Sequence, residues 1–153
     1  MITLYILMVV FGGCILIQKF VMKKINVTKA GLIAMSALLV FTGIGHFVYT
    51  PGMVMMLPPL IPFKYLVIIA TGAFEILAGI TLLIPRLQKL TSVCLIIFFV
   101  LIFPANIYAA LHKVNLQTAT LDGQGPGFLW LRIPLQIIFI GWTWYFGYLS
   151  EKK

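Results

Sequence analysis

Any chemistry in this sequence has to be built around Glu75. It stands eleventh in an uninterrupted apolar run from Tyr65 to Ile84 and is the only carboxylate inside any such run. At a rise of about 1.5 Å per helical residue it lies near the middle of a bilayer-spanning helix. A charge at that depth costs about 2.5 to 3.5 kcal/mol on insertion scales, so it needs a partner or a use. Gly72 and Gly79, at i−3 and i+4, share its helical face, where they would admit a neighbouring helix or open a cavity beside the acid. Other polar residues fall at a similar level. His46 lies about 9 Å, and Asn106 about 7 Å, to the same side of the centres of their own apolar runs. Arg132 and Gln136, spaced i, i+4, occupy one face of the last run.

The chemistry these types support is proton transfer beside a bound polar head. Glu75 and His46 are the candidate proton carriers, and Asn106, Arg132 and Gln136 the candidate ligand-binding groups. Each has a plainer alternative. A lone His near a helix end is usually interfacial, and a lone Asn more often ties two helices together. Glu75 and Arg132 could form an inert ion pair. The coincidence of depth across four helices favours a site.

The elements that must position these groups follow from composition. The 153 residues are 62% hydrophobic and 9% charged, with a mean hydropathy of +1.12, a balance that belongs in a bilayer rather than in water. Apolar runs at Ile2 to Ile17, Ala30 to Tyr49, Tyr65 to Ile84, Leu90 to Leu111 and Phe128 to Leu149 approach the ~20 residues needed to cross. An all-α integral membrane bundle of five transmembrane helices is expected. Between the second and third runs, Pro51, Pro58, Pro59 and Pro62 forbid one long helix, so Met53 to Pro62 should form an interfacial loop or a short re-entrant lid.

Basic residues set the expected orientation. With the amino terminus outside and the carboxy terminus inside, the inner side holds Lys19, Lys23, Lys24, Lys29, Arg86, Lys89, Lys152 and Lys153, against Lys64, Lys113 and Arg132 outside. The net charge of +8 is thus a topology signal; it forms no dense basic stretch, and no nucleic-acid partner is expected. The first basic residues follow the first apolar run instead of preceding it, so an uncleaved anchor is expected rather than a signal peptide. Cys14 and Cys94 both lie inside apolar runs and form no CxxC, which argues against a disulfide framework, a zinc site or a dithiol centre. Trp130, Trp142, Trp144, Tyr145 and Tyr148 read as interface anchors and packing.

Several local motifs, in order, resemble those of DoxX-like membrane proteins: Gly45-His46-Phe47, Met56-Leu57-Pro58-Pro59-Leu60-Ile61-Pro62, Gly72-Ala73-Phe74-Glu75-Ile76, Phe103-Pro104-Ala105-Asn106-Ile107 and Trp130-Leu131-Arg132-Ile133-Pro134-Leu135-Gln136. The resemblance implies a four-helix bundle over residues 30–150. Residues 1–29 would add an N-terminal helix and a basic cytoplasmic loop, and residues 151–153 a cytoplasmic tail. Relatives of that kind include subunits of thiosulfate:quinone oxidoreductases and partners of thiol-stress enzymes. This chain lacks the cysteine pairs that direct thiol transfer would require.

The expected function is a pocket in the outer half of the bundle for a hydrophobic ligand such as a quinone or an isoprenoid lipid, in support of a membrane redox system. The chain carries no haem, flavin or metal motif, so electrons would come from a redox partner protein. The expected setting is the lipid bilayer of a prokaryotic plasma (inner) membrane. Two alternatives stay open: a non-catalytic subunit or chaperone whose polar cluster is structural, and a small lipid carrier or isomerase.

Overall fold

The computed structural model describes residues 2–149 and, among them, is all-helical apart from one isolated bridge between Asn115 and Thr120. Lys152 and Lys153 of the charge count, and the tail 151–153, lie outside the described residues. The helices are α1 (Ile2–Ile17), α2 (Val27–Val48), α3 (Thr50–Met55), α4 (Lys64–Thr81), α5 (Pro85–Leu111) and α6 (Leu129–Trp142). π-helical turns extend α1 over Gln18–Met22 and α6 over Thr143–Leu149. Four segments are long and apolar enough to cross a membrane: Ile2–Val21, Val27–Val48, Lys64–Thr81 and Pro85–Leu111.

Helix boundaries follow local chemistry. Asn26 starts α2 by accepting from the Lys29 N–H at 2.9 Å, which satisfies a donor that has no intrahelical partner. The helix therefore begins at Val27, before the apolar run expected from Ala30. It ends before Pro51, which has no N–H to give the Phe47 carbonyl. The Thr50 hydroxyl supplies a donor there, 3.1 Å from the Phe47 carbonyl and 2.6 Å from that of His46. Pro85, expected in a connector, instead opens α5, a first-turn position where its fixed φ suits a helix and its missing N–H costs nothing. The stretch expected as a loop or lid, Met53 to Pro62, begins inside α3, and the chain then turns back through Phe63, whose φ of 49° is left-handed.

The helices form a ring in which α2 packs on α4 most extensively, α1 lies against α2, and α6 with its π-helical extension lies against α5; α4 and α5 share a thin seam. Glycines make the α2–α4 contact possible. A Cβ at Gly72 would stand 2.6 Å from the His46 Cβ, and one at Gly43 would stand 2.6 Å from Ile76 Cγ1. The small neighbours of Glu75 thus bring α2 close. Leu7, Met35, Leu39, Leu82 and Leu95 form the fully buried centre with Phe146 beside them.

 The Leu95 side chain is completely enclosed there.

The two ends of the ring differ. At one end Trp142 Nε1 donates to the Gly31 carbonyl at 2.9 Å, and Gln88 Nε2 donates to the Gly147 carbonyl at 2.9 Å. The Gly147 carbonyl, in the π-helical turn, thereby gains a donor from outside its own helix. Lys89 lies 5.1 Å from the centre of the Tyr148 ring at this end. At the other end the segment after α5 folds over α3, and a Cβ on Gly52 would stand 2.1 Å from the Leu116 carbonyl oxygen. Lys64 Nζ donates to the Leu57 carbonyl at 2.8 Å and holds the turn before α4. Within the covering segment the Thr120 hydroxyl, and then the Asn115 side chain, hold the Asp122 carboxyl below its usual range by hydrogen bonding.

Candidate functional site

Glu75 sits on the face of α4 that packs against α2, with 5% of its surface exposed. Its partner is His46 of α2, with Nε2 standing 3.5 Å from Glu75 Oε1. The other imidazole nitrogen, Nδ1, lies 3.2 Å from the Ile68 carbonyl and 3.1 Å from the Thr71 hydroxyl. A carbonyl oxygen only accepts, so the contact with Ile68 needs the proton on Nδ1. Nε2 and the carboxyl must then share one more proton, as imidazolium with carboxylate or as neutral imidazole with carboxylic acid. Either form leaves the pair neutral overall, which an apolar setting favours. In the other tautomer Nδ1 accepts from Thr71 and Nε2–H faces the carboxylate, which leaves one negative charge on the pair. The imidazole and the carboxyl can therefore pass a proton between them without moving the backbone, while the Thr71 hydroxyl donates either to the Ile68 carbonyl, at 2.9 Å, or to Nδ1. Glu75 Oε2 is buried and finds no hydrogen-bond donor among the described residues.

Thr71 also connects this pair to a groove. The thin seam between α4 and α5 opens into an apolar groove of about 460 Å³, whose walls include Val67, Thr71 and Phe74 from α4 and Ile97, Phe98 and Leu101 from α5. The Phe74 and Phe98 rings approach to 5.0 Å between centroids where the two helices meet. Cys94 lines the same groove as a free thiol.

Arg132, Asn106 and Gln136 are grouped differently from Glu75. Arg132 donates to Asn106 Oδ1 across the α5–α6 contact, and the guanidinium carbon lies 5.0 Å from the centre of the Phe128 ring. The expected alternative of a Glu75–Arg132 ion pair does not form: among the described residues Glu75 pairs with His46. Gln136 donates to the Phe99 carbonyl, next to the Val100 carbonyl that Pro104 leaves without its helical donor. Gln136 also lines a smaller groove of about 260 Å³ between α5 and α6. The five expected residues thus fall into an acid–imidazole pair between α2 and α4 and an amide–guanidinium pair, with Gln136, between α5 and α6.

Thr71 and Phe128 went unmarked in the sequence. Thr71 had a signal, because it stands at i−4 from Glu75 and is a hydroxyl on the acid's own face. Phe128 had none, since its contact depends on the turn Gly125–Phe128 that opens α6. Trp130 is 86% exposed, whereas Trp142 donates to the Gly31 carbonyl.

No curated protein and no solved structure matches the chain. A family model matches residues 35–147, a span that contains both polar pairs and leaves α1 outside. The chain belongs to the family described as Domain of unknown function (DUF8561).

Proposed function

We propose that this protein binds a hydrophobic molecule with a polar, proton-exchanging head, such as a quinone or an isoprenoid lipid, and serves a membrane redox system with it. The observation that carries this reading is the contact of Thr71 with His46, which joins the buried Glu75 and its half-buried partner His46 to an open apolar groove. The tail would lie along α4 and α5, where burial of apolar surface favours it by roughly 25 cal/mol per Å². The head would meet the Thr71 hydroxyl, behind which His46 and Glu75 take up or release a proton. Electrons would come from a partner protein. The order of motifs over residues 30–150 that resembles DoxX-like proteins agrees with such a role.

This reading places five crossings in the bilayer. The fifth is the continuous helical stretch 129–149, made less apolar than the others by Arg132, Pro134 and Gln136. The amino terminus faces outside, because Lys19, Lys23, Lys24, Lys29, Arg86 and Lys89 gather at one end of the ring. A prokaryotic plasma membrane is the proposed location.

A second reading has an observation in its favour: His46 and Glu75 lie at the tight glycine contact of α2 with α4, where they could serve only to tie the helices. Glu75→Gln separates the two. The proposal expects this variant to fold with a midpoint near that of the wild type and to lose quinone reduction or lipid turnover in membranes. A variant that unfolds, or that folds and keeps full activity, returns the pair to a structural role. Mass spectrometry of lipids co-purified in mild detergent provides a direct check, and recovery of phospholipid alone counts against the quinone or isoprenoid assignment.

A further inference from the structure

Arg132 is a cation whose charge the described protein leaves unbalanced. Its guanidinium donates to Asn106 Oδ1 and stands over the Phe128 ring, but the one ion pair among the described residues is His46–Glu75. A guanidinium carries five N–H donors in a planar fork. The Asn106 oxygen engages one arm. None of the guanidinium nitrogens belongs to the buried atoms left without a partner, so the donors that Asn106 does not engage still reach the surface. An unbalanced charge and accessible donors therefore coincide at one group.

The surroundings add to the same charge. The Lys113 side chain lies along Gly125, with its Cγ 3.5 Å from where a Cβ would stand, at the start of the turn that ends in Phe128. A second cation thus belongs to the same end of the α5–α6 pair. The carboxylate of the covering segment, Asp122, is engaged by the Thr120 hydroxyl. Phe128 on the guanidinium face and Asn106 on one arm fix the orientation of the fork, and a fork with its remaining donors free matches the spacing of two oxyanion oxygens.

We infer that Arg132, held by Asn106 and Phe128, forms a binding site for a phosphate oxyanion, supplied either by a phospholipid headgroup or by free phosphate. The site is separate from the Glu75–His46 pair and stands or falls without it. The test is a titration of the full chain in a neutral maltoside detergent at constant ionic strength, read as the thermal unfolding midpoint. The probes are inorganic phosphate, short-chain phosphatidylglycerol and the neutral diacylglycerol with the same chains.

The wild type should gain a saturable rise in midpoint from a phosphate-bearing probe and none beyond micelle effects from the diacylglycerol. A rise with phosphatidylglycerol alone identifies the headgroup as the source, and a rise with inorganic phosphate as well identifies a general phosphate site. Arg132→Gln should lose the response. Because that variant can fail to fold, Asn106→Asp carries the test independently: its carboxylate provides a built-in counter-anion, and the expected protein is folded with the phosphate response reduced at least tenfold in apparent affinity. Glu75→Gln should keep the response even if it abolishes activity. No saturable rise in the wild type, or an undiminished one in Asn106→Asp, overturns the site.

Discussion

A buried carboxyl and a half-buried imidazole in contact hold each other in place, because each gives the other a polar partner in apolar surroundings. Replacing one partner of such a pair with an apolar group costs about 3 to 5 kcal/mol, whereas replacing both is often neutral or stabilising. His46→Leu is therefore expected to lower stability by about that amount, with Glu75 left facing leucine. His46→Leu combined with Glu75→Leu should recover most of the loss. Equilibrium unfolding of the two proteins in the same detergent checks this; a double variant no more stable than the single one would mean the pair is not coupled. Glu75 and His46 were legible as polar residues in apolar runs, but their partnership was not. Sequence fixes the depth of a residue along its helix through a constant rise and says little about which neighbour its face meets. Arg132 illustrates the gap, since depth permitted Glu75 as a partner and the α5–α6 contact gives it Asn106 instead.

Of the three glycines in α2, Gly43 and Gly45 stand two residues apart and should have opposite roles. At Gly43 an added Cβ would meet Ile76 at 2.6 Å and the Gly72 carbonyl at 2.9 Å, while at Gly45 it would meet nothing within 4 Å. Gly43→Ala is expected to destabilise by about 1 to 3 kcal/mol through overpacking against α4. Gly45→Ala is expected to be neutral or to stabilise by up to about 1 kcal/mol through helix propensity. Thermal midpoints of both variants in one detergent settle the contrast, and equal effects would deny that α2 and α4 touch through Gly43. At this level the sequence was most informative where a single residue type has one local effect. Pro51 ends α2 and the four prolines of residues 51–62 prevent a continuous helix, as expected. The π-helical extensions were hidden, because their carbonyls are satisfied from a distant helix, by Gln88 in the case of Gly147.

Taken together, the helices place polar contacts at both ends of the ring and along two seams, and the charge differs from end to end. The apolar runs made the membrane-embedded, all-helical character legible from composition alone, since 9% charged residues cannot cover a soluble protein of this length. The order of the helices around the ring was not legible, because periodicity in a chain apolar on nearly every face does not say which face turns inward. Four segments meet the length and hydropathy needed to cross, and the stretch 129–149 is the one on which the count of five depends. Single cysteines test it in a background with Cys14 and Cys94 replaced by serine or alanine. Ile25 and Leu121 are both exposed, at 53% and 62%, and three crossings separate them, so Leu121→Cys should react with a membrane-impermeant maleimide in intact cells and Ile25→Cys only after permeabilisation. Ser150→Cys follows the last helix and should behave like Ile25→Cys. Labelling of Ser150→Cys from outside, together with Leu121→Cys, would put both ends of that helix on one side and reduce the crossings to four. Labelling of Ile25→Cys from outside, with Leu121→Cys protected, would invert the protein and move the Arg132 end of the bundle to the inner leaflet.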